Sequence, residues 1–344
     1  YSELDVRNAT PPPRFEVKAP QGAPNVIIVL IDDMGFGVSE SFGGPIPMPT
    51  LDRLADNGVR FNRFHTTALC APTRMALLSG YNHHSNNMGV ITEAGTTFPG
   101  YTGVRPQTIT PIAEVLRQNG YNTAQFGKSH EVPPWEISNN GPMDRWPAHS
   151  GFEKFYGFLG GETNQWAPLI YDGVTLVETP NDPDYHFTTD MTDQAISWVR
   201  SQQALQPDKP FFMYWAPGAA HGPHQVGKEW IAKYKGKFDD GWDKYRERVF
   251  AKAKAKGWIP PTTQLTPRPE SLASWESIPE GEKPFQRRLM EVFAGFTEHA
   301  DYNAGRVIDE IERQGKLDNT LIFYIWGDNG CSAEGLYGTI SEQL

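Results

Sequence analysis

Cys70-Ala71-Pro72-Thr73-Arg74, continuing through Met75-Ala76-Leu77-Leu78-Ser79-Gly80, joins a modifiable sulfur to a fixed cation at the start of a helix. Pro72 suits the first helical turn, where its missing N–H costs nothing, and Gly80 suits the position just past the end. Cys70 is thus expected at a helix N-terminus, where backbone N–H groups and the macrodipole favour anions. Arg74, one turn on, adds a charge that can pair bidentately with an oxyanion. The alternative is a short buried helix with an inert cysteine, so the surrounding chain has to decide.

Other groups of the same chemical character recur along the chain. Asp32-Asp33 closes an apolar run, and two adjacent carboxylates repel each other unless a cation lies between them or one caps a turn. Gly127-Lys128-Ser129-His130 offers a cation and a proton carrier two residues apart, which could share a pocket or a solvated turn. His221 stands among Gly218, Gly222 and Pro223, held in a turn that it could also simply cap. Asp328-Asn329-Gly330 supplies further oxygen donors, although it also spells a hairpin turn. His83 and His84, in a polar, Gly-rich stretch reaching about Gly103, read as surface or supporting residues rather than ligands.

The elements that must position these groups can be read from periodicity. The run at 25–31 has the β-branched content of a strand buried on both faces, and the runs at 122–126, 211–215 and 321–326 read as further strands. Helices are expected at 49–58, with a Thr cap and a closing Gly58, at 70–80, at 112–120 with Ile112, Val115 and Leu116 inward, at about 190–203, and at 285–314. Residues 1–24, with Pro11-Pro12-Pro13, read as an extended arm, 131–189 as long loops with a few short strands, and 228–283 as a basic surface excursion with short helices. The fold class is therefore α/β with a mostly parallel sheet. In such a sheet the four strand ends share one edge, which gathers Asp32, Asp33, Asp328 and Asn329 as a hard, all-oxygen site for Ca²⁺ or Mg²⁺, with Lys128, His130, His221 and Arg74 beside it.

Composition narrows the partners. The 344 residues carry 31 Lys+Arg against 41 Asp+Glu, a net charge of −10 that argues against nucleic acid and anionic membrane surfaces as partners. No apolar run approaches the roughly 20 residues of a membrane span. The N-terminus has neither a signal-like segment nor an initiator Met, which leaves room for a removed leader or tag. Two cysteines, Cys70 and Cys331, are too few for a disulfide scaffold, although a single bridge between them is possible.

Taken together, Cys70-x-Pro72-x-Arg74 with Leu78-Ser79-Gly80, Asp32-Asp33, Gly127-Lys128-x-His130, His221 and Asp328-Asn329-Gly330 resemble the type I sulfatases, most of all bacterial arylsulfatases, in the order the family has them. The resemblance runs from about Asn25 to the end. It implies an alkaline-phosphatase-like catalytic domain over 25–344, with helices on both faces of the sheet and a loop-rich excursion at about 225–284. It also implies sulfate ester hydrolysis by a soluble protein, and the compartment, bacterial periplasm or cytoplasm, stays open. On the same basis Cys70 is oxidised to formylglycine by a formylglycine-generating enzyme, the one maturation partner implied. The hydrated aldehyde would be the nucleophile. Asp32, Asp33, Cys70, Asp328 and Asn329 would hold calcium, Arg74 would orient the diol, and Lys128 would bind sulfate oxygens. His221 would protonate the leaving group, and His130 would take the proton that releases sulfate.

Two departures stand out. The family usually has Trp where this chain has Ser129, a change expected to alter pocket packing. The family also has a second sulfate-binding lysine after Asp-Asn-Gly, and none occurs before Leu344, as expected of a chain truncated before a C-terminal subdomain. Trp135, Trp146, Trp166 and Tyr171 could wall an aryl pocket or pack elsewhere. Rival readings are a phosphonate monoester or phosphodiester hydrolase with the same nucleophile, and a non-catalytic ion-binding homologue.

Overall fold

The computed structural model describes residues 3–13, 15–327 and 329–331. Seven strands form one sheet: β1 (Asn25–Ile31), β2 (Asn122–Lys128), β3 (Lys154–Phe158), β4 (Ile170–Asp172), β5 (Thr175–Val177), β6 (Phe211–Ala216) and β7 (Thr320–Trp326). Their order is β5-β4-β3-β2-β6-β1-β7. The four strands expected from the apolar runs are the contiguous parallel block β2-β6-β1-β7, with β3 parallel beyond them and β4 and β5 antiparallel at the edge. Their C-terminal ends therefore do share one edge. Here the period-2 geometry of a strand serves two cores at once.

Alternate residues of β1 separate those cores. Ile27, Val29 and Ile31 pack with the buried faces of three helices, α1 (Pro49–Asp56), α4 (Phe187–Leu205) and α7 (Lys283–Arg313). Ile28 and Leu30 face the opposite layer, where Ala71, Met75 and Leu78 of α2 (Cys70–Ser79) meet Ala113 of α3 (Ile112–Gln118). Two short helices complete the set, α5 (Lys228–Ala232) and α6 (Gly241–Ala255). Among the described residues no helix is long and apolar enough to cross a membrane.

The structure corrects several local expectations. Val115 of α3 faces solvent, and Ala113 takes the inward place, because the helix lies against the sheet on one narrow stripe. The excursion is not only a surface: Ile231, Tyr234 and Phe238 are buried in the main core, and α6 runs for 15 residues. Thr50 does not cap α1. Met48 is the N-cap without a side-chain bond, and the Asp301 carboxylate of α7 accepts from the backbone N–H of Thr50 (2.9 Å) and Leu51 (3.1 Å). A helix terminus leaves N–H groups that any well-placed acceptor can take, so the cap came from a residue 251 positions away. The same helix ends at Asn57, one residue before Gly58.

Candidate active site

α2 places Cys70 at its first position, preceded by extended Leu69 and with no side-chain cap. Gly80 ends the helix in the left-handed region, at φ 71°, as its sequence position required. Both Cys70 and Arg74 are buried, Arg74 completely. Cys70 and Cys331 are free thiols, so the possible bridge between them is not formed.

The strand ends bring the remaining groups to this helix. β2 continues through Lys128, so that residue is the last of the strand rather than part of the turn. His130 follows in the left-handed region, at φ 61°, with its N–H donating to Leu159 O at 3.1 Å, alongside the end of β3. Gly161 makes room for its ring: a Cβ there would lie 2.9 Å from His130 Cε1. Asp32 N–H donates to Ala219 O and Ala220 N–H to Asp32 O, each at 2.8 Å, which ties the end of β1 to the loop carrying His221.

The carboxylates and cations interlock. Asp32, fully buried, pairs with the Lys128 ammonium and, at 3.1 Å, with Arg74 Nη2. Arg74 Nη1 also donates to Tyr214 Oη (3.3 Å) and to Lys128 O (3.4 Å). Asp33, at φ 46°, accepts from Asn329 Nδ2 at 2.5 Å and lies 3.6 Å from His221 Nε2. Burial, then the charge of Asp32, pushes the Asp33 carboxyl up, against the pull of His221 and Lys128. His221 Nδ1 is 2.7 Å from Gly222 O and so donates to it, leaving Nε2 as the nitrogen that faces Asp33.

Cys70 Sγ lies 3.0 Å from His130 Nδ1, and His130 Nε2 lies 2.9 Å from Glu93 Oε2. Burial, more than the cations nearby, brings the imidazole down to about 4, against the pull of Glu93. The Glu93 carboxyl resists burial and sits at about 2 through its bond with His130. Sequence reasoning missed Glu93, which sits in the stretch where no element was expected; an acid in a Gly-rich loop gives no periodic signal. It also missed Glu131, buried and bonded to Ser129 Oγ at 2.6 Å, and Glu162, 3.9 Å from His221 Nδ1. Burial raises the Glu131 carboxyl to about 7. Ser129 thus anchors a buried acid in the place where a Trp was the family expectation.

The expected site residues fall into three contact groups, Asp32 with Lys128 and Arg74, Asp33 with Asn329 and His221, and Cys70 with His130, and Asp328 lies outside the described residues. Lys128, expected on the sulfate oxygens, and Arg74, expected to orient the diol, both meet Asp32, because a desolvated carboxylate draws the nearest cations. Among the described residues no group of three or more His, Cys, Asp or Glu is placed to hold a metal ion. The donor types still suit a hard cation: adjacent buried carboxylates and an amide, one carboxyl raised by burial and then by the charge of the other. His83 and His84 meet at a tilt of 46°, ring centres 4.1 Å apart, and His84 bonds to Tyr101. The aromatic residues do not form one wall. Trp146 and Tyr171 pack together in a separate core cluster, while Trp135 and Trp166 are exposed, Trp166 against His186.

The sulfatase family model matches residues 24–343. Across 93% of its length the chain is 32% identical to an uncharacterized sulfatase of Schizosaccharomyces pombe, of which it covers 60%. It is 30% identical to the arylsulfatase of Klebsiella aerogenes over 93% of its length and 69% of that protein. A solved structure from Bacteroides fragilis that bears the sulfatase name superposes with a TM-score of 0.68 at 18% identity, over 96% of this chain and 67% of that one. The chain thus spans about three fifths to two thirds of these proteins. With the match running from β1 through the strand ends that carry Asp32 and Lys128, the head of α2 with Cys70 and the loop with His221, the chain belongs to the sulfatase family and has its alkaline-phosphatase-like fold.

Proposed function

We propose that this chain is the catalytic part of a sulfuric ester hydrolase of arylsulfatase type, with residues 25–344 as the catalytic unit and 1–24 as an arm. The observation that carries the reading is residue 70 at the head of α2. It faces His130 Nδ1 on one side, and the buried Arg74–Asp32–Lys128 cluster is anchored one turn along the same helix. In a family of sulfatases, that placement suits a nucleophile beside a sulfate-sized oxyanion.

Formylglycine made from Cys70 by a formylglycine-generating enzyme would supply a hydrated aldehyde as nucleophile, and calcium held by Asp32, Asp33, Asp328, Asn329 and residue 70 would supply Lewis-acid polarisation. The chain's own groups do the rest. Lys128 brings a desolvated cation to the sulfate oxygens, where its worth is greatest because water is excluded, and Arg74 orients the diol. Doubly protonated His221, with its Nδ1–H held on Gly222 O, gives its Nε2 proton to the departing alcohol or phenol and is left as the neutral imidazole. His130 accepts at Nδ1 the proton of the group at position 70.

Mass spectrometry of the peptide that holds residue 70 tests the nucleophile: oxidation makes it lighter by the difference between SH plus H and O. An unmodified thiol in the native host would sink the mechanism. Turnover of p-nitrophenyl sulfate in preference to phenyl phosphonate esters is the expected substrate result, and the reverse preference would move the chain to phosphoryl chemistry.

A further inference from the structure

His130 is contacted from two sides. Cys70 faces Nδ1, and Glu93, on the short turn Thr92–Ala94, faces Nε2 at 2.9 Å. Thr92 Oγ1 donates to the same Glu93 oxygen at 3.1 Å, which limits where that half-exposed carboxylate can point. The ring itself has little freedom, walled by Gly161 and carried on a backbone held in the left-handed region. An ionised carboxylate accepts and cannot donate, so the nitrogen facing it must carry the hydrogen. A neutral imidazole has only one N–H.

We propose that Glu93 is a positioning residue that fixes His130 as the Nε2–H tautomer, so that Nδ1 keeps its lone pair for the atom at position 70. An acid behind a histidine whose other nitrogen serves a nucleophile is the arrangement that sets tautomer and ring direction in catalytic triads. The proposal rests on the reading of His130 as the proton acceptor at position 70, and the two can fail separately.

The test uses the full chain labelled with ¹⁵N-histidine, whose nine histidines make the ring signals tractable, with His130→Gln identifying the His130 signal by its loss. In the unsubstituted chain the His130 ring is expected to show a protonated Nε2 and a bare Nδ1. Glu93→Gln, whose amide can donate as well as accept, and Glu93→Ala are expected to give a mixture of tautomers, and Glu93→Asp to restore the single one. In parallel, kcat on an aryl sulfate is expected to fall roughly 10- to 100-fold in Glu93→Gln with KM little changed, and to recover in Glu93→Asp. A single Nε2–H tautomer persisting in both Glu93→Gln and Glu93→Ala overturns the proposal. A changed tautomer with unchanged kcat upholds the role of Glu93 and overturns that of His130. Glu93 is on the surface, so its variants are expected to unfold at the parent temperature; should one not fold, the remaining two still read the tautomer.

Discussion

α1 and α2 begin on opposite faces of the same sheet, and their N-termini are used in opposite ways. The first turn of α1 is closed by a protein carboxylate: Asp301 accepts from two of its N–H groups, and Thr50 Oγ1 returns a bond to Asp301 O at 2.8 Å. The first turn of α2 has no side-chain cap, and the residue placed there is Cys70. An N-terminus already neutralised by its own protein is a structural joint. One that meets buried cations instead is suited to an anion that comes and goes.

Substitutions that exchange the two roles should separate activity from stability. The largest expected effect is at Cys70: Cys70→Ala should lower sulfatase turnover roughly 10⁴-fold or more while leaving the melting temperature nearly in place, since only a small side chain is lost. Arg74→Met comes next, stripping one of two cations from fully buried Asp32. Breaking a buried pair typically costs about 3–5 kcal/mol, read as a lower denaturant midpoint, together with lost activity. If Arg74→Met were as stable as the parent, Lys128 alone would suffice to compensate Asp32.

On the α1 side, Asp301→Ala should cost about 1–2 kcal/mol of stability through the lost cap and leave kcat unchanged; a large loss of activity would join the two ends functionally. Asp301 also gives a pH signature. Burial raises its carboxyl to about 6 from 3.8, so between those values the folded chain holds a proton that the unfolded chain has released. Its contribution is thus fully present below about pH 4 and is lost as pH rises through 6. Asp301→Asn should flatten that part of the stability–pH curve. The smallest expected effect is Gly80→Ala at the end of α2. Nothing lies within 4 Å of the added Cβ, so the cost is the left-handed backbone alone, about 1 kcal/mol, by thermal unfolding.

Much of this arrangement was legible because it is local. The parallel block β2-β6-β1-β7 was announced by four apolar runs, and α2 by Pro72 and Gly80, since strand burial and helix termination both leave their mark within a few residues. Asp32, Lys128 and His221 could be assigned to one edge because parallel strands point their ends the same way. What stayed hidden was set by contacts across the chain. The cap on α1 lies 251 residues from the helix it closes, Glu93 has no pattern around it, and the burial of Ile231, Tyr234 and Phe238 depends on the face that α7 offers. Val115 failed for a related reason, because helical spacing says which residues share a face but not which face is covered.

By itself, then, the sequence determined the elements, the edge on which the chemistry collects and the residue types collected there, because periodicity and turn residues act over short range. Only the tertiary structure decided who pairs with whom. It set Arg74 and Lys128 on Asp32, Asn329 and His221 on Asp33, and Cys70 on His130 with Glu93 behind it. Charges taken out of water choose the partners that folding brings within reach, and that choice is made by distance in space rather than by position in the chain.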